Sequence, residues 1–332
     1  MHKGRSSILS VRWLMAAIAA GCALGASHAQ AQWKPEKGVE IVVGTSPGGG
    51  QDTSARFLQK LIQERQLVDV PTVVVNKPGG GSSVGYAYLN QHPGDGHFIM
   101  LLTVPLITNH ILGLSQISHA ELSPLAVLFD EYIAAAVAPQ SPIGNAQDLM
   151  ARLRKDPASL SIGVPSLTGG GYYAIALAAK AHGIDPKRLK TVVFKSGGDS
   201  ITALLGGHID VMFSTLAAPT AQLRAGKVRM LAVAAPRRLA GELAQVPTFR
   251  EQGTNVVFSN WRGIVGPRGL SGAQVAYWEE VLAKVAAADE FKRDVEQRNW
   301  VANFQRSDAM RRFLKDQHDE LRVLLTDLGQ VK

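Results

Sequence analysis

The sequence has 332 residues, 46% hydrophobic and 19% charged, which is the balance of a soluble globular protein with room for two domains. The formal charge of +8 includes Lys3, Arg5 and Arg12 of an N-terminal segment that has no acid, so the remainder carries +5. No lysine or arginine block is interleaved with aromatics, which excludes a nucleic-acid binder, while a mild positive bias suits a receptor for small anions.

Met1–Arg12 is basic, an apolar run follows from Trp13 to Ala26, and Ser27-His28-Ala29-Gln30-Ala31 offers two small-residue cleavage sites. The apolar run is too short to span a membrane, so 1–31 reads as a signal peptide and the mature chain is expected to start near Gln32. The only cysteine is Cys22. Ala19-Ala20-Gly21-Cys22 matches a lipoprotein processing site only loosely, with Ala where Leu is usual, so lipid anchoring is not expected. With Cys22 removed, disulfides, thiolate metal sites and cysteine nucleophiles are all excluded.

The chain then writes four times a short apolar strand, a glycine-rich turn and an amphipathic helix. The copies are EIVVGTSPGGGQDTSARFLQKLI from Glu40, VVVNKPGGGSSVGYAYL from Val73, SIGVPSLTGGGYYAIALAAK from Ser161 and TVVFKSGGDSITALL from Thr191. Glycine lets the backbone approach a ligand, and a helix start offers unpaired N–H donors and the positive end of a dipole. Two such turns in each half predict an anion-holding cleft between two lobes.

Further strands are expected at Phe98–Thr103, Leu125–Phe129, Ile133–Ala138, Ile209–Ser214 and Val228–Ala234. Helices are expected at Ala146–Lys155, capped by Asn145, and at Pro219–Ala225. The alternation predicts an α/β protein with mainly parallel sheets covered on both faces. Gln274–Ala287 and Ser307–Leu328 read as two long helices with no strand between them, the second capped by Ser307 and stopped by Gly329. Both are expected to pack onto the first lobe. The chain is expected to cross between lobes near Asp130–Ile133 and near Phe258–Gly263.

Gly44-Thr45-Ser46-Pro47-Gly48 matches the G-x-S-x-G of a serine nucleophile elbow. In that fold the residue after the serine donates its N–H to the oxyanion, and Pro47 has none. Neither a P-loop lysine nor a G-x-G-x-x-G run accompanies the other glycines, so no nucleotide cofactor is expected. His92, His97, His110, His119, His182, His208 and His318 show no i, i+3 or i+4 pair, so no metal site is expected. Asp52 reads as the cap of a helix beginning at Thr53, able to orient a loop amide, and Asp199 as the cap of the fourth unit's helix. Ser82, Ser83, Thr168, Ser196 and Ser200 stand at or near the other helix starts as caps or ligand donors. Lys195 and Arg262 are the cations nearest the expected cleft, and Arg262 suits a carboxylate fork.

Several blocks together carry a family resemblance: Pro47-Gly48-Gly49-Gly50-x-Asp52, Asn76-Lys77-Pro78-Gly79-Gly80-Gly81, Leu204-Leu205-Gly206-Gly207-His208-Ile209-Asp210-Val211 and Val246-Pro247-Thr248-Phe249-x-Glu251-Gln252-Gly253. They resemble, in order over nearly all the mature chain, the solute-binding proteins of tripartite tricarboxylate transporters, the Bug receptors. Asn260-Trp261-Arg262-Gly263 resembles the tricarboxylate-binding branch. The resemblance implies a type II periplasmic-binding-protein fold, with lobe 1 formed by 32–131 plus 258–332 and lobe 2 by 132–257. It implies a periplasmic, non-catalytic monomer that delivers a small di- or tricarboxylate to membrane transporter subunits, or else senses it for a sensor kinase. A secreted hydrolase using Ser46 is the remote alternative.

Carried over by position, the resemblance implies ligand contacts from Ser46, Gly49, Gly50, Asp52, Thr53, Gly80, Gly81, Ser82 and Thr103 in the first lobe. In the second it implies Ser166, Thr168, Gly169, Gly170, Lys195, Ser196 and Gly197, with Arg262 at the crossing. The first-lobe loops would hold one carboxylate, partly through water. Relatives of the tricarboxylate branch tend to carry a small polar run, then an acid and His, where this chain has Gly169-Gly170-Gly171-Tyr172-Tyr173. They tend towards acid and glycine where it has Lys195-Ser196. These departures predict a more aromatic and cationic second-lobe pocket, open to an aromatic or longer dicarboxylate as well as a citrate-like one.

Overall fold

The structure, a computed structural model, describes residues 33–331 other than Gly49 and Lys195. The expected signal peptide, Cys22 and the contacts expected of Gly49 and Lys195 lie outside the described residues.

Along the chain the first sheet takes β1 (Val39–Val43), β2 (Thr72–Asn76), β3 (Phe98–Leu102) and β4 (Ser123–Asp130). Between them run helices α1 (Gly50–Glu64), α2 (Ser83–Asn90) and α3 (Pro105–Ile111). The second sheet takes β5 (Ile133–Val137), β6 (Ser161–Val164), β7 (Lys190–Val193), β8 (Val211–Thr215) and β9 (Arg229–Val233). Its helices are α4 (Ala146–Lys155), α5 (Gly170–Ala181), α6 (Gly197–Leu205) and α7 (Ala217–Arg224). The chain then returns to the first sheet as β10 (Arg262–Gly266), α8 (Gly272–Ala287), α9 (Asp289–Gln297), β11 (Val301–Arg306) and α10 (Ser307–Asp327).

The sheet orders are β2-β1-β3-β10-β4-β11 and β7-β6-β8-β5-β9. Both begin with the same pattern: three parallel strands in the order second, first, third, then an antiparallel strand, which is β10 from late in the chain in the first sheet and β5, just before the trio, in the second. The four glycine turns therefore follow the first two parallel strands of each sheet. This is a two-lobed α/β fold of the periplasmic-binding-protein kind. The expectation of mainly parallel sheets holds for those strand trios and fails around β10, β11 and β5, which are antiparallel to their neighbours.

Local chemistry explains most element ends. Asn145 Oδ1 accepts the Asp148 N–H at 2.8 Å and opens α4. Gly329, at φ 62°, follows the end of α10. Ser307, expected as a cap, is instead the first helical residue of α10, and its N–H is bound by Glu279 at 2.6 Å. The expectation of no strand between the two C-terminal helices is also overturned, because α9 and β11 lie there. In β11 no residue is fully buried, and the half-buried Val301, Asn303, Phe304 and Gln305 do not alternate with exposed ones, so its apolar signal is faint. It becomes a strand by pairing with β4, and Trp300 stacks on Phe129 with centroids 4.1 Å apart. The helices α8 and α10 pack on β4 in the first lobe, as expected.

The two crossing segments are tied to each other. Ser259 Oγ donates to Asp130 Oδ1 at 2.5 Å, the Asn260 N–H donates to the Glu131 carbonyl at 2.8 Å, and Tyr132 bridges Ser259. Beside them Arg262 Nη2 donates to Glu131 Oε2 at 2.8 Å, with both side chains only 5% exposed.

Candidate ligand-binding site

In the first lobe the turn after β1 and the turn after β2 touch. A Cβ on Gly44 would lie 2.2 Å from Ser82 Cβ, so only glycine lets the second turn close on the first. Ser82 itself has a φ of 79°, a conformation that non-glycine residues adopt rarely. The helix α1 starts at Gly50, three residues before the expected start, so Asp52 sits inside its first turn and is not its cap. From there its buried carboxylate accepts the Gly48 N–H, Arg56 Nε and Asn76 Nδ2, each at 2.9 Å. Burial works against its charge, but those donors outweigh burial and hold the carboxyl below its usual range. Asp52 thus orients the Gly48 amide and ties both turns.

Below this rim lies a polar floor. Gln51 Nε2 donates to Ser82 Oγ at 3.4 Å and to Thr103 Oγ1 at 3.2 Å, and all three residues are buried. Asn109 Nδ2 donates to the Gly80 and Gly81 carbonyls at 3.2 and 2.8 Å, which fixes the second turn from α3. Ser46, Gly50, Gly80 and Gly81 are exposed at the rim, and Thr53 is half-buried. Gln51 and Asn109 were not singled out from the sequence. Neither is a glycine or a helix-start hydroxyl, and both act through partners at least 26 residues away.

Arg262 stands at the edge of this floor, where a Cβ on Gly50 would be 3.6 Å from its Nη2. Its guanidinium is engaged by Glu131 and by the Asn260 carbonyl at 2.7 Å, while its Nε is buried without a partner. Next to Glu131 on the crossing, Asp130 has its pKa pushed up by burial, which its bonds from Ser259 and Asn303 offset only in part.

In the second-lobe turns the side-chain bonds among the described residues are short-range. Ser166 Oγ bonds the Thr168 hydroxyl and accepts its N–H, both at 3.1 Å. Ser196 caps α6 by accepting the Asp199 N–H at 3.1 Å, and Asp199 Oδ2 accepts from the Ser196 hydroxyl at 3.0 Å. Ser196 is therefore the cap expected of Asp199. Gly169 and Gly170 open α5, and Gly197 begins α6.

The expected aromatic pocket is not where the sequence suggested. Tyr172 and Tyr173 are 7% and 0% exposed and belong to the core, because α5 is apolar on nearly every side. Tyr173 packs against Phe258, with centroids 5.7 Å apart, and its hydroxyl points to Thr108 of the first lobe. Burial pushes that hydroxyl's pKa up and Thr108 moderates the effect, although neither hydroxyl completes a hydrogen bond.

A cavity of about 920 Å³ lies between the lobes on the other flank, lined by Asp130, Tyr132, Arg237, Trp300 and Asn303 among others. It borders β11 and the end of β9, at the opposite sheet edges from the glycine turns. It is a gap behind the crossing segments and contains none of the candidate contacts. Among the described residues no cluster of three potential ligands is arranged to hold a metal ion.

Residues 55–330 match the family model described as tripartite tricarboxylate transporter family receptor. Among solved structures, the periplasmic binding protein BugD is 24% identical with a TM-score of 0.75, over 90% of this chain and 99% of that one. MatC from Rhodopseudomonas palustris with bound malate is 19% identical with a TM-score of 0.74, over 88% and 98%. An R. palustris protein with adipate is 21% identical with a TM-score of 0.76, over 89% and 98%.

Proposed function

Because this chain belongs to the tripartite tricarboxylate transporter receptor family, we propose that it is a periplasmic receptor that captures a small dicarboxylate or tricarboxylate between its lobes and hands it to membrane transporter subunits. The lobes are 32–131 with 258–332, and 132–257. The observation that carries this reading is the interlocked first-lobe floor, where Ser82 and Thr103 hydroxyls lie beneath exposed glycine amides. Such donors grip a carboxylate by charge-assisted bonds, directly or through water, without a buried counter-charge. Ser46, Gly49, Gly50, Thr53, Gly80 and Gly81 supply the rim of that grip.

The second lobe completes the site through Ser166, Thr168, Gly169, Gly170, Lys195, Ser196 and Gly197. Malate and adipate in two relatives of the same fold support an aliphatic diacid. The burial of Tyr172 and Tyr173 removes the particular reason to expect an aromatic one. Closure of the lobes excludes water and presents a new surface to the membrane partner. The protein acts as a monomer, without cofactor or metal, and does no covalent chemistry.

A thermal-shift panel of malate, succinate, adipate, citrate and an aromatic diacid tests the ligand class. A true ligand at a hundred times its Kd stabilises the fold by about 2.7 kcal/mol, and no shift with any member removes the reading. Uptake of the labelled ligand by cells lacking the protein tests delivery. Normal uptake with a lost transcriptional response would make it a sensor.

A further inference from the structure

We infer that Gln51 is the positioning residue that makes the first-lobe floor a donor surface, an inference that rests on the carboxylate reading above. Its side-chain amide has two N–H groups, and they are spent on Ser82 Oγ and Thr103 Oγ1. A hydroxyl has one proton and two lone pairs. Once each oxygen accepts from Gln51, its own proton is left to point elsewhere. The Oε1 atom of Gln51 is buried with no partner.

In the reverse orientation the amide carbonyl would face both hydroxyl oxygens, and the two N–H groups would take the buried place now held by Oε1. That orientation would draw both hydroxyl protons inwards and turn their lone pairs towards an incoming anion. With Gln51 as donor, Ser82 and Thr103 can each give a hydrogen bond to a carboxylate oxygen. The neighbouring carboxylates offer no competing acceptor: Asp52 is held by three donors and Glu131 by Arg262. Gln51 itself is 93% buried by its 7% exposure, so it acts through the two hydroxyls and need not touch the solute.

The test is a double-mutant cycle on the full mature chain, with malate and adipate as probes and affinity read by calorimetry. Gln51→Leu leaves both hydroxyls free to donate, so it should weaken binding by about tenfold or less. Gln51→Glu accepts both hydroxyl protons and should weaken binding by about a hundredfold at pH 8, with partial recovery as the pH falls towards 5. Thr103→Val, close in shape to threonine, should cost about tenfold in the native chain and nothing further in the Gln51→Glu background. If Thr103→Val costs the same factor in both backgrounds, or Gln51→Leu is as damaging as Gln51→Glu at every pH, the positioning role is overturned. Ligand-free melting temperatures within a few degrees of the native chain establish that each variant folds, and Gln51→Leu is the control for packing. If the native chain binds neither probe nor any other diacid, the carboxylate reading fails and this inference falls with it.

Discussion

In the first lobe the two glycine turns form one structure, while in the second lobe each turn holds itself. Ser82 fills the space beside Gly44, Gln51 joins Ser82 to Thr103, and Asp52 joins Gly48 to Asn76. After β6 and β7, by contrast, the side-chain bonds among the described residues are local: Ser166 with Thr168, Ser196 with Asp199 and Ser200, and Thr202 with the Gly198 carbonyl. A floor fixed by long-range bonds is set before the solute arrives and spends little ordering entropy on binding. Turns whose side-chain bonds stay within their own loop can differ between relatives without disturbing the lobe. The first lobe therefore suits a common carboxylate grip and the second suits selection among solutes.

The sharpest break of this contrast comes at the crossing beside the first-lobe floor. Arg262→Ala leaves Glu131 buried and unpaired, so the ligand-free protein should lose about 3–5 kcal/mol in denaturant unfolding. Unchanged stability with lost affinity would return Arg262 to the ligand-fork role expected from sequence. Gly44→Val drives a side chain into Ser82 and should cost about 3 kcal/mol and nearly all diacid affinity, whereas Gly197→Ala in the second lobe meets nothing closer than 3.5 Å. Equal effects at the two glycines would erase the difference between the lobes.

Asp52→Asn should cost about 2 kcal/mol at pH 7, because three donors lose a charged acceptor. The folded carboxyl is held below its ordinary value of 3.8, so its stabilisation is present above that pH and is lost as pH falls. The gap between native and variant melting temperatures should therefore close below about pH 4. Asp130 has the opposite sign. Burial raises its folded pKa, so its contribution is full below 3.8 and fades as pH rises through the higher folded value. The smallest effect is expected at Ser196→Ala, which removes an exposed helix cap worth about 1 kcal/mol and should raise amide exchange only in the first turn of α6.

Much of this was legible in the chain itself. The four strand–turn–helix units follow from apolar runs, glycine turns and helix-start residues, all of them short-range signals. Asn145 and Gly329 could be placed for the same reason. The strand β11 could not, because VANFQR has little apolar periodicity and forms through β4, more than 170 residues earlier in the chain. The helix α1 begins before the apparent cap because Asp52 serves three donors at once, one of them on β2.

The sequence by itself determined the lobe-forming units, the positions of the glycine turns and the family, since each rests on residues adjacent in the chain. Only the tertiary structure decided what the charged and polar residues do. Arg262 meets Glu131 across 131 positions, Tyr173 turns from the cleft into the core, and Gln51 finds two hydroxyls 31 and 52 residues away. Hydrogen bonds and ion pairs are short in space but unconstrained in sequence separation, so no local pattern encodes their partners. The glycine turns mark where a carboxylate can be held, and the buried amide beneath them sets which way the hydroxyls point.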